Sequence, residues 1–423
     1  MPSPESSSRE RAPILVVGGG ITGLTCAIEA AEAGNPVVLI EKSAYLGGHV
    51  AAFHRYFPKL CPPSCGLEIN TQRLRNNPKI EILTLAELES LSGSPGNYQA
   101  VVRMAPRFVK DRCTLCGGCE SVCPAEVPDA FNCGIGRRKA IHRPHPMAFP
   151  LQYRIERSAC PEGCHLCVDA CKYDAIDLDQ QAAKKTLRVA SVVLATGWEP
   201  YDAARIDNLG FGKFPNVVTN VMLERMAAPD GPTRGKILRP SDGKPPRSVA
   251  FVQCAGSRDR NHLPYCSGVC CTASLKQATY IREQYPDAAI TLFYIDLRTP
   301  GHLEDFAAQT IAANQVELIK GKAGKVEQDA ETGHLLVTAE DVLQGRKSTR
   351  PYDLVVLAVG MVPQSSGLPI NLLIDEFGFV SNGPPGVYAA GCVKRPAEVA
   401  AAIRDATGAA LKAMRNSNGA GHE

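Results

Sequence analysis

The sequence predicts an α/β protein of two βαβ-based halves, the first interrupted by a small α+β module rich in cysteine. Three observations carry that expectation. A glycine-rich turn joins a strand to a helix near the N-terminus, and a second strand-led segment opens at residue 248. Between residues 111 and 179, apolar periodicity gives way to Cys, Pro and short polar runs. The chain has 423 residues, 44% hydrophobic and 21% charged, the composition of a folded chain rather than a disordered one. With 46 Lys and Arg against 43 Asp and Glu, it lacks the basic excess of a dedicated nucleic-acid binder. No run reaches the ~18 apolar residues of a membrane span, and Met1–Pro13 carries no apolar stretch of an export signal. A cytoplasmic setting without a membrane span is expected.

Taken in order, residues 1–12 are a disordered lead rich in Ser, Pro and charge. Pro13–Val17 is a short apolar strand, Leu24–Ala33 a helix ended by Gly34, and Pro36–Ile40 a second strand closed by Glu41. These form a βαβ unit of about 30 residues. Residues 111–179 are the insertion, after which Leu187–Thr196 resumes a strand pattern. The first domain is thus expected from 13–110, 180–247 and 353–423, and the second from 248–352. Within the second, Ser248–Gln253 is a strand, Thr272–Glu283 a helix and Ala289–Asp296 a strand. Val316–Thr338 holds further strands around a turn at Glu331-Thr332-Gly333. Asp353–Val359 is a buried strand, Val387–Ala390 another, and Ala397–Met414 a closing helix before a frayed tail, Asn416–Glu423. Strands ending in Ala195-Thr196-Gly197 and Ala358-Val359-Gly360 hint at related halves.

Gly18, Gly20 and Gly23 fit G-x-G-x-x-G between a strand and a helix. The first permits the tight turn, the second lets a pyrophosphate approach the backbone, and the third allows close helix–strand packing. Glu41, with Lys42 beside it, ends the second strand, where an acid binds ribose hydroxyls. Leu46-Gly47-Gly48, Ala195-Thr196-Gly197 and Gly386–Gly391 resemble the FAD segments of two-dinucleotide-binding flavoproteins of the glutathione and thioredoxin reductase type. That resemblance implies an FAD site built from these glycines, Thr196, Gly197, Gly391 and Cys392. Cys392 stands where the family usually has an Asp holding the ribityl chain.

The chain has 17 Cys and no export signal, so clustered thiols point to metal or redox chemistry rather than disulfides. Cys113-x2-Cys116-x2-Cys119-x3-Cys123-Pro124 reproduces the bacterial ferredoxin run. Cys160-x3-Cys164-x2-Cys167-x3-Cys171 is a second run with one extra residue in its first gap. In such modules the last Cys of each run crosses to the other cluster. One [4Fe–4S] cluster is then expected on Cys113, Cys116, Cys119 and Cys171, the other on Cys160, Cys164, Cys167 and Cys123. Zinc is the competing reading, since Cys-x2-Cys pairs also suit tetrahedral sites. Val122, Val127, Ile176 and Leu178 fit a module that shields clusters from water. Arg137, Arg138, Lys139, His142, Arg143 and His145 between the runs are either a solvated basic loop or a docking edge for an acidic redox partner. Cys133 is an ordinary thiol.

After Ser248–Gln253 a nucleotide-binding half should show glycines. Instead, Cys254, Cys266, Cys270 and Cys271 occupy the loop. Either they are buried structural cysteines, or this half has exchanged pyridine nucleotide for a third [4Fe–4S] cluster. Cys254-x11-Cys266-x3-Cys270-Cys271, with the inserted module, resembles the A-subunit family of heterodisulfide reductases. So do Glu126-Val127-Pro128, Arg138-Lys139-Ala140-Ile141 and Val252–Arg258, and the likeness covers about residues 13–414. The resemblance implies that Lys276 reaches the flavin ring, where a cation stabilises the reduced anion; the alternative is an exposed helix lysine.

Phe57–Asn70 resembles the flavoprotein A-subunit of quinone-interacting membrane-bound oxidoreductase (Qmo) complexes, and the sequence ends after the flavoprotein core without a further ferredoxin module. That branch implies electron transfer between membrane quinone and adenylylsulfate reductase. Its partners would be a haem-bearing membrane subunit, together with another flavin/iron–sulfur subunit, giving peripheral attachment to the inner membrane. Three alternatives stay open: a sulfur-oxidising heterodisulfide-reductase-like complex, a stand-alone NAD(P)H oxidoreductase, and a redox sensor or scaffold. Cys61 and Cys65 lie near the redox-active pair of disulfide reductases, and are read as structural or cluster-shielding thiols ahead of a flavin-linked dithiol.

Overall fold

A computed structural model describes residues 11–417; almost all of the expected lead and tail lies outside them. The first half is a five-stranded sheet in the order Val387–Ala389, Ser191–Leu194, Ile14–Val17, Val37–Glu41, Ile80–Thr84. All its pairings are parallel. Continuous Val/Ile/Leu runs are what a parallel sheet buried on both faces requires. Ile14 and Val16 face the helices Ile21–Glu32 and Val399–Ser417, while Leu15 and Val17 face an antiparallel meander. That meander is Ala86–Ser94, Asn97–Met104 and Ala183–Val189.

The second half repeats these layers. Its parallel sheet runs Val217–Thr219, Leu354–Val359, Ser248–Ala255, Ala289–Tyr294, Glu317–Lys320. Helices Asn220–Ala227, Cys270–Gln284 and Leu303–Ala313 cover one face. A meander of Ala323–Gln328, Leu335–Asp341 and Arg346–Tyr352 covers the other. The strands preceding Gly197 and Gly360 hold the same place in the two sheets, each beside the strand that leads into the first helix.

Two domain assignments need correction. Val217–Thr219 and Leu354–Val359 belong to the second sheet, not the first domain. An apolar strand buried on both faces fits either sheet equally well, so the pattern alone could not assign it. The chain passes between the halves through Trp198–Pro200 and returns through Met361–Pro363, which pair antiparallel. Leu187–Thr196 is likewise two strands, Ala183–Val189 in the meander and Ser191–Leu194 in the parallel sheet. The cysteine-rich module leaves the meander after Met104 and rejoins it at Ala183, residues that pair with each other, so the insertion leaves the meander's register intact.

The segment between the two Cys runs is not a solvated loop throughout: Arg137 is exposed, but its neighbours are paired or buried. Arg137–Lys139 pairs with Glu126–Pro128, with Lys139 Nζ 3.0 Å from Glu126. His142 and His145 are buried, and Arg138 pairs with Asp129 at 3.5 Å. His145 stacks on Phe131 at 4.6 Å and meets Tyr45 of the first domain edge-on at 5.1 Å. The backbone closes this contact where Leu46 N donates to Phe149 O at 2.8 Å.

Helix Asn220–Ala227 locks the three bodies together. Arg225, 1% exposed, donates from Nε to Asn132 of the module at 2.8 Å and from Nη1 to Ala52 O of the first domain at 3.1 Å. Its guanidinium also lies over Phe131, 4.5 Å from the ring centre, and its Nη2 meets Asp230 at 3.1 Å. Glu224 accepts Lys276 Nζ at 2.9 Å, Gln277 Nε2 at 2.7 Å and His54 N at 3.0 Å. Truncating a buried, fully bonded guanidinium removes all its contacts at once. Arg225→Ala is therefore expected to destabilise the protein by about 3 kcal/mol, read from denaturant midpoints.

Burial, with Arg138 and Arg154 nearby, pulls His142 down to about 4, and burial does the same for His145. In the unfolded chain both titrate near 6.5. The folded state therefore holds fewer protons between those values, so stability is complete above about 6.5 and falls as pH drops toward 4. Chemical denaturation from pH 7.5 to 5.5 should show this slope, and His142→Gln with His145→Gln should flatten it.

Candidate flavin and iron–sulfur sites

In parallel α/β sheets ligands bind beyond the carboxyl ends of the strands. The expected FAD residues gather on that edge of the first sheet. Gly18–Gly20, Glu41–Gly48, Thr196-Gly197 and Gly391-Cys392 each follow one of four adjacent strands. Gly18 has φ of 108°, and a Cβ there would lie 2.3 Å from Ala195 O. At Gly23 a Cβ would stand 1.8 Å from Gly18 O, so only glycine lets the helix start against the turn. Gly20 has nothing closer than Gly48 Cα, 4.0 Å from where its Cβ would be, so space is open at the N-terminus of Ile21–Glu32. Gly47 N donates to Gly19 O at 2.8 Å, joining the second glycine pair to the first.

Glu41 is buried and already accepts from Gly19 N at 2.6 Å and Ser43 N at 2.7 Å. A carboxylate has about four acceptor directions, so it fixes the turn and retains capacity for ribose hydroxyls. Lys42 is exposed and pairs with Glu199 at 3.4 Å, at the rim of the site. Thr196 Oγ1 is committed to Gln364 O at 2.5 Å. The Cys392 thiol is pushed by burial up to about 11 and lies 3.5 Å from Ala397 O. Sequence reasoning missed Asp405, which accepts from Gly391 N at 2.8 Å and from Lys394 Nζ at 3.0 Å. As a single acid in an Ala-rich helix it had no spacing to mark it.

In the module, Cys113, Cys116, Cys119 and Cys171 line one cavity, with Val109, Ile141, Tyr153 and Ile176. Cys123, Cys160, Cys164 and Cys167 line a second, with Ile141, Ile155 and Leu166. The structure thus brings together the two crossed sets. Burial pushes the Cys119 thiol up to about 12, with Cys113 and Cys171 adding to the shift, and raises Cys167, with Cys160, Cys123 and Cys164 contributing. Among the described residues, no three Cys, His, Asp or Glu side chains are placed to hold one metal ion between them. Four thiols ringing an apolar cavity, one drawn from the other run, fit a polynuclear cluster better than a single zinc.

The third set lies on the carboxyl edge of the second sheet. Strand Ser248–Ala255 shifts register after Val252, and Cys254 adopts φ of 57°. Such a bulge re-aims a side chain at a strand end. The link to the next helix is residues 256–269, against residues 18–20 in the first half. It is tied by Arg258 N to Tyr265 O at 3.0 Å and Leu263 N to Gly256 O at 2.9 Å. Cys270 and Cys271 open the helix Cys270–Gln284, the position of a pyrophosphate in a nucleotide-binding half. Cys270 Sγ is 3.6 Å from Val359 O and Cys271 Sγ 3.8 Å from Asp296 O, so both sit among strand ends. Burial pushes the Cys254 thiol up to about 11, with Cys271 and Cys266 adding to the shift. Cys270 in turn feels all three of the others.

Lys276 is not an exposed helix lysine: it is 4% exposed, bonded to Glu224 and, at 2.7 Å, to Arg55 O. Two of its three donors are thus spent at the joint between the halves. Cys61, just before helix Pro63–Arg75, and Cys65 in its first turn are both exposed, so they are not core thiols.

Fold and sites together define a chain on the two-dinucleotide-binding flavoprotein scaffold, with an inserted cysteine-rich module. A family model described as NAD(P)-binding Rossmann-like domain matches residues 16–79. Thioredoxin reductase from T. acidophilum superposes with a TM-score of 0.55 at 16% identity, covering 97% of this chain and all of that one. The Lactococcus lactis thioredoxin reductase gives 0.55 at 12% identity, covering 96% and 99%. In sequence, the chain matches strongly the A-subunit family of archaeal CoB-CoM heterodisulfide reductases. The A-subunit of the ferredoxin/F(420)H(2)-dependent enzyme of Methanosarcina acetivorans is 36% identical over 97% of this chain and 54% of its own length. An iron–sulfur A-subunit of the Methanopyrus kandleri enzyme is 37% identical over 94% and 63%. The chain therefore spans between half and two thirds of these relatives. The likeness implies flavin and iron–sulfur cofactors.

Gly23→Ala is expected to lower bound flavin severalfold while iron per chain is unchanged. Flavin released by denaturation and iron by chelation assay, on one preparation, check it.

Proposed function

We propose that the chain is the FAD- and iron–sulfur-bearing electron-transfer subunit of a heterodisulfide-reductase-type complex, on the quinone-linked Qmo branch. On this reading it passes electrons between the membrane quinone pool and adenylylsulfate reductase, working with a second flavin/iron–sulfur subunit plus a haem-bearing membrane subunit. The observation that carries it is the lining of two module cavities by four cysteines each, with Cys270 and Cys271 opening a helix where a nucleotide would otherwise lie. The pattern Phe57–Asn70 favours the Qmo branch. Among the described residues no helix is long and apolar enough to cross a membrane.

FAD supplies two-electron exchange and the clusters single-electron steps. The chain's own residues hold these groups in place. Gly18, Gly20 and Gly23 would let the pyrophosphate reach the amides of Ile21–Glu32, and Glu41 would take the ribose. The apolar walls of the module would exclude water from eight thiolates. Arg258, paired with Asp296, and Arg298, 3.2 Å from Asp296, set positive charge beside Cys266 and Cys271. Lys276 would place a cation beside the flavin while Glu224 fixes its position.

Anaerobic purification should give about 12 iron per chain, falling to about 8 in Cys270→Ala with flavin retained. Iron near zero with stoichiometric zinc rejects the reading. NADH or NADPH alone should leave the flavin oxidised. Co-purification of a haem-bearing membrane subunit supports the quinone branch, and a lipoate-binding protein in its place overturns it.

A further inference from the structure

The third cysteine set is surrounded by polar groups that the protein itself leaves unpaired. Gln253 is 2% exposed, and neither its amide nitrogen nor its amide oxygen has a partner. Of the twelve buried side-chain atoms in that condition among the described residues, five belong to Gln253, Ser257, Thr272 and Ser274. Each of these residues lies within three positions of Cys254 or Cys271. Gln253 alone is unpaired at both ends of its side chain.

Its place in the strand sets it next to the third cysteine set. Val249 and Phe251 pack with Leu275, Ala278 and Ile281 of helix Cys270–Gln284, whereas Ala250 and Val252 face the opposite core. Residue 253 comes next, at the carboxyl end of the strand and directly before Cys254. The register shift begins there. A primary amide buried without partners costs free energy that a well-packed core does not leave unrecovered. Leu or Met would fill the same volume at no such cost.

We propose that Gln253 donates its side-chain N–H to a sulfur of the cluster that Cys254, Cys266, Cys270 and Cys271 would hold, and raises that cluster's reduction potential. Hydrogen bonds to cluster sulfurs stabilise the more negative, reduced state. The inference rests on the reading of those four thiols as one ligand set. Gln253 is a positioning and tuning residue; it is not itself a ligand.

The test is a potentiometric titration of the anaerobically prepared full chain, followed by EPR. The signal of the third cluster is the one that disappears in Cys270→Ala. In Gln253→Met, which keeps the volume and removes the donor, its midpoint should fall by about 59 mV, a tenfold change in a one-electron equilibrium. The other two clusters and the flavin should keep their midpoints. An unchanged midpoint at full iron overturns the proposal, as does a shift confined to the flavin. Should the variant fail to load iron, wild-type protein labelled with amide-15N glutamine decides: pulsed EPR of the reduced third cluster should show a 15N coupling, and its absence overturns the proposal. If Cys270→Ala removes no signal and no iron, the ligand set itself is wrong, which is a different failure.

Discussion

Glu224 and Arg225 are neighbours on one helix of the second half, both buried, and between them they bond to every body of the protein. Glu224 gathers Lys276, Gln277 and His54; Arg225 gathers Asn132, Ala52 and the face of Phe131. An ion taken out of water costs several kcal/mol unless its partners are all in place. Partial docking of the module, or of the segment after Gly48, would leave one of these charges unpaired. The arrangement therefore favours a single relative placement of the three bodies. Electron transfer weakens steeply with distance, so a protein that carries several redox groups needs such a fixed placement more than it needs a mobile substrate cleft.

On the proposed reading, the two halves of one scaffold would hold two kinds of anion. In both, a central parallel strand runs to a helix N-terminus whose free amides and dipole favour negative charge. In the first half a three-residue glycine turn, 18–20, leaves room for a diphosphate. In the second, the longer loop 256–269 is folded on itself and Cys270 and Cys271 open the helix. Burial raises the Cys270 and Cys271 thiols at this helix end. The second half differs by a longer loop and a bulge at Cys254, with the sheet order unchanged.

Much of this is legible in the sequence because its signals are local. The glycine fingerprint, the two Cys runs and the third set each fit within a short window, and the structure brings each group together. What cannot be read depends on long-range pairing. Leu354–Val359 looks like any buried strand, and only its neighbours Val217–Thr219 and Ser248–Ala255 show which sheet it joins. The basic stretch 137–145 looks solvated because six cationic or imidazole side chains stand close in sequence; burial of His145 comes from Tyr45, far away in the chain, and from Phe131. Lys276 looks like a surface lysine because its partner, Glu224, lies 52 positions upstream. Asp405 has no motif at all.

The crossing of Cys123 and Cys171 has a consequence for assembly. Each cavity of the module takes three thiols from one run and one from the other, so neither is complete until both runs are in place. Ile141, 1% exposed, forms a wall of both cavities, which separates them by little more than one side chain. The same residue pairs with Ile155 in the short ribbon Ile141–His142/Arg154–Ile155, just before the segment that packs on Tyr45. On the proposed reading, loading one cavity would fix a wall of the other and the contact with the first domain. Because ligand sites of this kind hardly exist in an unfolded chain, binding free energy is folding free energy. The module should therefore fill and dock as one cooperative unit, its metal content and its grip on the flavin half rising together.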